Sequence, residues 1–302
     1  MKLKEWIAFA LLGLIWGSSF LWIKVAVYEI GPFMLVALRL LFGLLGLIVV
    51  LSLQRQSFPR DRRVLLAFLF MGVFNTAVPF VLISWGETKI DSGLASILNG
   101  TVPLFTIVIA HFWLGDEKIT PARIAGLVIG FIGVVVLVSR DIGPQGIHGN
   151  LFGQLAVIAA SICYATAITF SRKYLRGQPP VVQSTMILLI ADVMLWIVTP
   201  VAESPLRFPA LPLTWLAVAW LGVLGSCVAY LLFFYLINAW GPTRASVVTY
   251  VFPVIGVILG IVFLKEVADW RLIAGTLLVA GGIVVLNMKL FVKQVAVAPA
   301  AD

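Results

Sequence analysis

Polar side chains are scarce in this chain, and several of them recur at helical spacing. Ser92, Ser96, Asn99 and Pro103 follow one another at intervals of four, three and four residues, and Ser246, Thr249, Tyr250 and Pro253 form a second stripe. Steps of three and four put side chains on one face of a helix. Each stripe therefore offers hydroxyl and amide groups along a line, which is the chemistry of holding a small polar solute. The plainer use of the same groups is to join neighbouring helices. Pro103 and Pro253 fall where each would remove a main-chain hydrogen bond, giving either a hinge or a fixed bend. Trp16 and Ser19 share a face near Phe20, Tyr164 stands at the comparable place in the second half, and Asn75 and Tyr230 are further binding candidates. A ring with a polar tip can stack on a solute while making one hydrogen bond.

Ionisable groups within the apolar runs are Lys24, Arg39, His111 and Asp192, with Glu117 and Glu266 at run ends. Buried charge is costly enough in lipid that each needs a reason. Lys24 and His111 lie near run ends, where long or amphipathic side chains snorkel. Glu117 and Glu266 sit beside Lys118 and Lys265, where capping or loop pairing accounts for them. Arg39 and Asp192 lie deeper, as a possible coupling or buried pair. They can neutralise each other or carry a proton or a substrate charge, and structural pairing is the reading favoured here. His111 and His148 are the only histidines, and Cys163 and Cys227 the only cysteines. Neither set has metal-ligand spacing, there is no glycine-rich phosphate loop, and no nucleophile has an arranged base, so the sequence implies no cofactor, no metal and no enzyme.

The elements that must position these residues follow from composition. Of 302 residues 62% are hydrophobic and 11% charged, too few charges to cover a water-facing surface. Apolar runs of helical length, not alternating strands, follow one another throughout. Helices are expected near 4–28, 32–53, 63–84, 90–113, 120–139, 149–171, 181–200, 212–238, 242–264 and 269–291, separated by turn signals such as Gly31-Pro32, Gly143-Pro144 and Gly241-Pro242. Lys and Arg concentrate in alternate loops, including Arg55, Arg60, Arg62, Arg63, Lys118, Arg123, Arg172, Lys173 and Arg176. That bias places both termini in the cytoplasm, and it makes the net charge of +8 an orientation signal and not a sign of nucleic-acid binding.

The chain also repeats itself. At an offset of 150, Gly72-Val73 pairs with Gly222-Val223, Ala95-Ser96 with Ala245-Ser246 and Pro103 with Pro253. At one residue less, Glu117 meets Glu266, Gly126 meets Gly275 and Gly133 meets Gly282. Five spans per half is an odd number, so the second half enters the membrane from the opposite side, and the repeat is inverted as in many transporters. Gly126, Gly130 and Gly133, with Gly275, Gly281 and Gly282, permit close helix approach, either inside the bundle or between two copies.

Paired modules of Ala-Ser, Pro, Glu, Gly and Gly, with Trp16-Gly17-Ser18 in the first helix, resemble the two halves of EamA-family proteins of the drug/metabolite transporter superfamily. The resemblance covers nearly the whole chain. It implies an all-α membrane protein of ten transmembrane helices: a first EamA-like repeat at 1–140, a linker at 141–148, a second repeat at 149–291 and a cytoplasmic tail at 292–302. It further implies an integral protein of the bacterial inner membrane, monomer or homodimer, exporting amino acids or other small metabolites. The aromatic content favours a bulky side chain, and alternating access follows from the symmetry. A channel is the nearest alternative and a membrane-embedded enzyme the next. The cavity residues expected are Trp16, Ser19, Asn75, Ser96, Asn99, Tyr164, Tyr230, Ser246, Thr249 and Tyr250.

Overall fold

The computed structural model describes residues 3–114, 119–139, 142–143, 146–147, 150–240 and 246–295. Its side chains are described at these positions except in the two short strands and at 234, 237, 238, 246, 247 and 286–295. Glu117, Lys118, His148 and Ala245 lie outside the described residues, as does the side chain of Ser246.

The helices are α1 (Leu3–Val27), α2 (Pro32–Leu53), α3 (Arg62–Glu87), α4 (Ser92–Trp113), α5 (Pro121–Val138), α6 (Asn150–Tyr174), α7 (Pro180–Ala202), α8 (Pro212–Ala219, continued by Trp220–Val228 and Ala229–Trp240), α9 (Ser246–Tyr250, then Val251–Leu264) and α10 (Trp270–Val295). Among the described residues, eight of them, α1 to α8, are long and apolar enough to cross a membrane, and α9 and α10 contribute shorter apolar stretches. Between α5 and α6, Ile142–Gly143 (β1) and Gly146–Ile147 (β2) form a small antiparallel pair.

Proline starts many of these helices: Pro32, Pro121, Pro180 and Pro212 all open one, where a missing N–H costs nothing. Apolar residues continue on the outside as well as in the core. Val49, Ile132, Val135, Ile197, Val201, Ile258 and Leu277 are all exposed, a surface that lipid covers and water would not.

Packing follows a recurring scheme. Helices α5 and α10 pair with each other, as do α2 with α7 and α4 with α9; α1 packs on α8 and α9, and α6 packs on α3 and α4. The α5–α10 contact is made backbone to backbone. A Cβ added at Gly282 would lie 2.5 Å from the Gly130 nitrogen, and one at Gly133 would lie 2.7 Å from the Val279 nitrogen. The glycines read as serving either the bundle or a dimer are thus used inside the bundle, except Gly281, which has open space before it. Gly282→Val is expected to force the two helices apart and cost about 1–3 kcal/mol of stability. Thermal unfolding of the purified protein in detergent checks it, and an unchanged midpoint would count against this packing.

Two helices depart from α geometry at matching places. Gly72–Ala77 in α3 and Trp220–Val228 in α8 are π-helical. The Val78 N–H bonds the Val73 carbonyl, and the Ala229 N–H bonds the Leu224 carbonyl, each five residues back. Pro79 explains the first, because it cannot donate to the turn before it. In the second, the Ser226 hydroxyl bonds the Leu221 carbonyl at 3.1 Å. A π-turn widens a helix and shifts the register of the side chains beyond it, a feature common at functional sites.

Helix α4 is interrupted. Its first part ends at Asn99, Gly100 and Thr101 form a turn, and the second part starts at Val102. Pro103 therefore stands in the first turn of a restarted helix, where its missing N–H leaves no gap, and not in the unbroken helix interior that the sequence led us to expect. Pro253 has the same setting: Ser246–Tyr250 is a 3₁₀ turn, and the α-helix begins at Val251. The Leu98 carbonyl at the α4 break accepts from the Thr101 N–H at 3.2 Å, from Thr101 Oγ1 at 2.5 Å and from Ser161 Oγ of α6 at 3.1 Å.

Candidate functional site

The π-turns and broken helices surround a group of side chains at the middle of the bundle. Trp16 of α1 donates its indole N–H to the Gly225 carbonyl in the α8 π-turn, at 3.0 Å. Its ring meets Tyr230 edge-on at 6.2 Å and Phe252 at 5.7 Å, and lies tilted against Phe233 at 5.3 Å. Tyr230 and Asn75 share a hydrogen bond across the two π-turn helices, and the Asn75 amide also donates to Thr76 Oγ1 at 3.4 Å. The two secondary binding candidates are thus brought together. Tyr164 of α6 is half-buried and packs against both large apolar clusters of the core.

Arg39 of α2 joins this group. It is buried, its Nε–H donates to Ser226 Oγ at 3.3 Å, and its guanidinium lies over the Phe80 ring at 4.0 Å. The Tyr164 and Tyr230 hydroxyls and the Glu87 carboxyl are within its electrostatic reach. Asp192 does not pair with it. That carboxyl takes a hydrogen bond from the Trp196 side chain one turn along α7, and among the described residues its Oδ1 has no partner.

The remaining candidates are placed as follows. Ser19 is buried and donates back to the Ile15 carbonyl at 3.1 Å, close to where a side chain at Gly225 would lie. Ser96 is fully buried in the α4–α9 crossing: it donates to the Gly93 carbonyl at 2.7 Å and leaves no room for a Cβ on Gly256. Asn99 ends the first part of α4, its amide oxygen buried and without a hydrogen-bond partner among the described residues. Thr249 and Tyr250 are half-buried in the 3₁₀ turn of α9.

At one end of the bundle, three carboxylates bind amides in the opposite half, two of them at helix starts and the third just ahead of one. Glu266 accepts from Ser92 N at 2.7 Å and Gly93 N at 3.0 Å. Glu203 accepts from Phe33 N at 2.8 Å and Met34 N at 3.0 Å. Glu29 accepts from Ala210 N at 2.6 Å and Leu211 N at 2.9 Å. Carboxylates suit these places because the first amides of a helix are unpaired and carry its positive dipole end. Lys265, which adopts a left-handed backbone at φ 59°, turns the chain so that Glu266 folds back onto α4.

The Thr214 hydroxyl, with the Ala210 and Leu211 amides, holds the Glu29 carboxyl below its ordinary value of 4.5. A depressed folded-state value means the contact contributes fully above the ordinary value and is lost as pH falls through the lowered one. Parent and Glu29→Gln should differ in unfolding midpoint near neutral pH and converge in acid, as a pH series of thermal melts would show.

Lys24 lies near the end of α1 and is partly buried. Its ammonium turns inward to the carbonyls of Glu87, at 2.6 Å, and Ile90, at 2.8 Å. Glu87 itself is fully buried, and among the described residues neither of its carboxyl oxygens has a hydrogen-bond partner. The sequence reading ended this helix at residue 84 and so missed Glu87; the three-residue step from Ser84 to Glu87, continuing the helix, was the available signal. Glu266→Ala should lose two charge-assisted bonds and about 1–3 kcal/mol. Glu87→Gln removes no bond and should leave the midpoint where it is or raise it. Melting both variants checks the contrast, and a Glu87→Gln loss equal to that of Glu266→Ala would contradict it.

These helices, with an apolar exterior and a polar centre, make the chain an integral membrane protein. The sequence profile of the EamA-like transporter family matches residues 4–139 and again 151–288, and the chain belongs to that family. It is 26% identical to an uncharacterized transporter of Archaeoglobus fulgidus over 95% of this chain and 100% of the other. It is 28% identical to the uncharacterized transporter YoaV of Bacillus subtilis, over 89% and 92%, and 29% identical to the uncharacterized inner membrane transporter YedA of Escherichia coli, over 95% and 92%. A solved crystal structure shares the fold with a TM-score of 0.68, at 20% identity, over 98% of this chain and 99% of the other.

Proposed function

We propose that this chain is a secondary transporter that exports small metabolites, amino acids first among them, across the bacterial inner membrane by alternating access. The observation that carries the reading is the matched irregularity of the two halves: π-turns in α3 and α8, and breaks in α4 and α9, arranged around Trp16, Arg39, Asn75, Tyr164 and Tyr230. Helices interrupted at membrane depth expose main-chain groups, which are tolerated where they border a cavity. Ten spans arranged as two inverted repeats, 1–140 and 149–291 about the 141–148 linker, with the 292–302 tail and both termini in the cytoplasm, fit the recurring helix pairings. Such symmetry gives two equivalent ways to close the protein, one for each side. The three carboxylate caps then close the periplasmic end.

In this reading Trp16, Ser19, Asn75, Asn99, Tyr164, Tyr230, Thr249 and Tyr250 border the solute path, Ser246 extends it, and Ser96 sets the α4–α9 contact beside it. Pro103 and Pro253 mark the restarts about which half-helices swing. The protein acts as a monomer or homodimer on a small-molecule substrate in the lipid bilayer, without cofactor, metal or nucleic acid, and performs no enzymatic step. Two related halves carried within one chain, and not a pore assembled from subunits, favour a carrier over a channel.

Two experiments test this. A bacterial host expressing the chain should release more amino acids into its medium than one carrying an empty vector; equal release would count against export. In a background without Cys163 and Cys227, a membrane-impermeant thiol reagent should label Arg207→Cys but not Gln56→Cys in intact cells. The reverse pattern would invert the orientation, and labelling of both would break the span count.

A further inference from the structure

Arg39 is the buried cation of the central group, and its bonding is incomplete. It keeps only 6% of its surface, yet among the described residues only the Nε–H of its guanidinium has a hydrogen-bond partner, Ser226. The two terminal nitrogens, the part of the side chain shaped to grip two oxygens at once, make no hydrogen bond among the described residues. Among the described residues no carboxylate is hydrogen-bonded to it: Asp192 is engaged with Trp196, Glu87 is within electrostatic reach but makes no hydrogen bond, and Glu29, Glu203 and Glu266 are taken up by main-chain amides. The other nearby cation, Lys24, is held by two carbonyls. An unsatisfied buried cation is expensive, so a protein retains one where something else completes it. A planar fork is completed best by a carboxylate, whose two oxygens match it in parallel.

The surroundings fit that occupant. The Phe80 ring beneath the guanidinium fixes its plane, and the Ser226 bond fixes its rotation from the π-turn of α8. The Tyr164 and Tyr230 hydroxyls stand close enough to feel its charge. Beyond Tyr230 the Phe233 and Phe252 rings pack on Trp16, so the surroundings on that side are apolar and aromatic.

We infer that Arg39 receives the carboxylate of the transported solute, gripping it through its two free nitrogens, so that the substrates are organic acids or amino acids and not amines or neutral compounds. The inference rests on the transporter reading and names the substrate class of that same centre. It also changes what Arg39 variants should do. A structural pair would fail to fold without its partner, whereas a receptor loses its ligand and stays folded.

The test uses the whole protein in lipid vesicles. One set is loaded with the common L-amino acids together with acetate, succinate and benzoate, and a second with choline, putrescine, glycerol and glucose. Mass spectrometry follows what leaves vesicles containing parent, Arg39→Gln or Arg39→Lys protein relative to protein-free vesicles. Only members of the first set should leave the parent, and both variants should lose that flux by at least about tenfold while keeping a monodisperse gel-filtration profile. Arg39→Lys keeps the charge without the fork, and it stands in should Arg39→Gln not fold. Flux of carboxylates at the parent rate through either folded variant overturns the proposal, as does export confined to the second set. If nothing leaves either set, the transport reading fails by itself. The thermal midpoint of the solubilised protein then decides the binding claim, which stands if these carboxylates raise the midpoint of the parent but not of the variants and falls if they raise neither.

Discussion

Locking Gly93 to Glu266 through a cysteine pair is expected to stop transport completely, and reduction of the bridge to restore it. Glu266 lies against the first turn of α4, so near that a Cβ built on Gly93 sits 3.2 Å from Glu266 Oε2. In a background of Cys163→Ala and Cys227→Ala, the paired substitutions Gly93→Cys and Glu266→Cys therefore place two thiols at the junction between halves. If that end must open in each cycle, α4 has to leave Glu266, and a covalent bridge forbids it. Flux measured in vesicles before oxidation, after oxidation and after reduction reads the result. Unchanged flux through the bridged protein would mean that this end does not open there, and the alternation proposed above would be wrong.

Trp16→Ala is expected to be the most damaging single truncation in the centre, costing about 3–5 kcal/mol. Three aromatic contacts and the bond to the Gly225 carbonyl go together, and the ring cannot be replaced by collapse of its neighbours because the π-turn holds Gly225 in place. Trp16→Phe separates the two parts: most ring area stays, the carbonyl loses its partner, and about 1–3 kcal/mol is lost. Thermal melts of both variants should therefore fall in that order. Equal midpoints for parent and Trp16→Ala would show that the indole is a cover and not a support.

Much of the architecture could be read from the sequence because lipid imposes simple rules. Apolar runs of spanning length and prolines at helix starts put most helix boundaries within a few residues of those observed. Where the reading went astray, local signals competed with tertiary ones. Pro103 and Pro253 resembled kinks in continuous helices because a sequence does not reveal that Gly100 and Thr101 form a turn first. The π-turns at Gly72–Ala77 and Trp220–Val228 have no compositional signature beyond Pro79, Gly222 and Gly225, although the repeat did align them. The position of Lys24 near a helix end is visible in the sequence, while the carbonyls of Glu87 and Ile90 that hold its ammonium are not. Asn75 and Tyr230 were chosen separately from their repeat positions, and only the fold brings them into one hydrogen bond. Arg39 and Asp192, matched by position, proved to have different partners, because equal places in two halves of a bundle are not contacts.

Counterflow in proteoliposomes tests the central claim most directly. Vesicles preloaded with an unlabelled mixture of amino acids and diluted into a trace of the same compounds, radiolabelled, should accumulate label above its equilibrium level and then release it. That overshoot requires a site which faces one side at a time, as a carrier with two closed forms provides. Entry that rises smoothly to equilibrium without overshoot would identify a pore and contradict the alternating-access account.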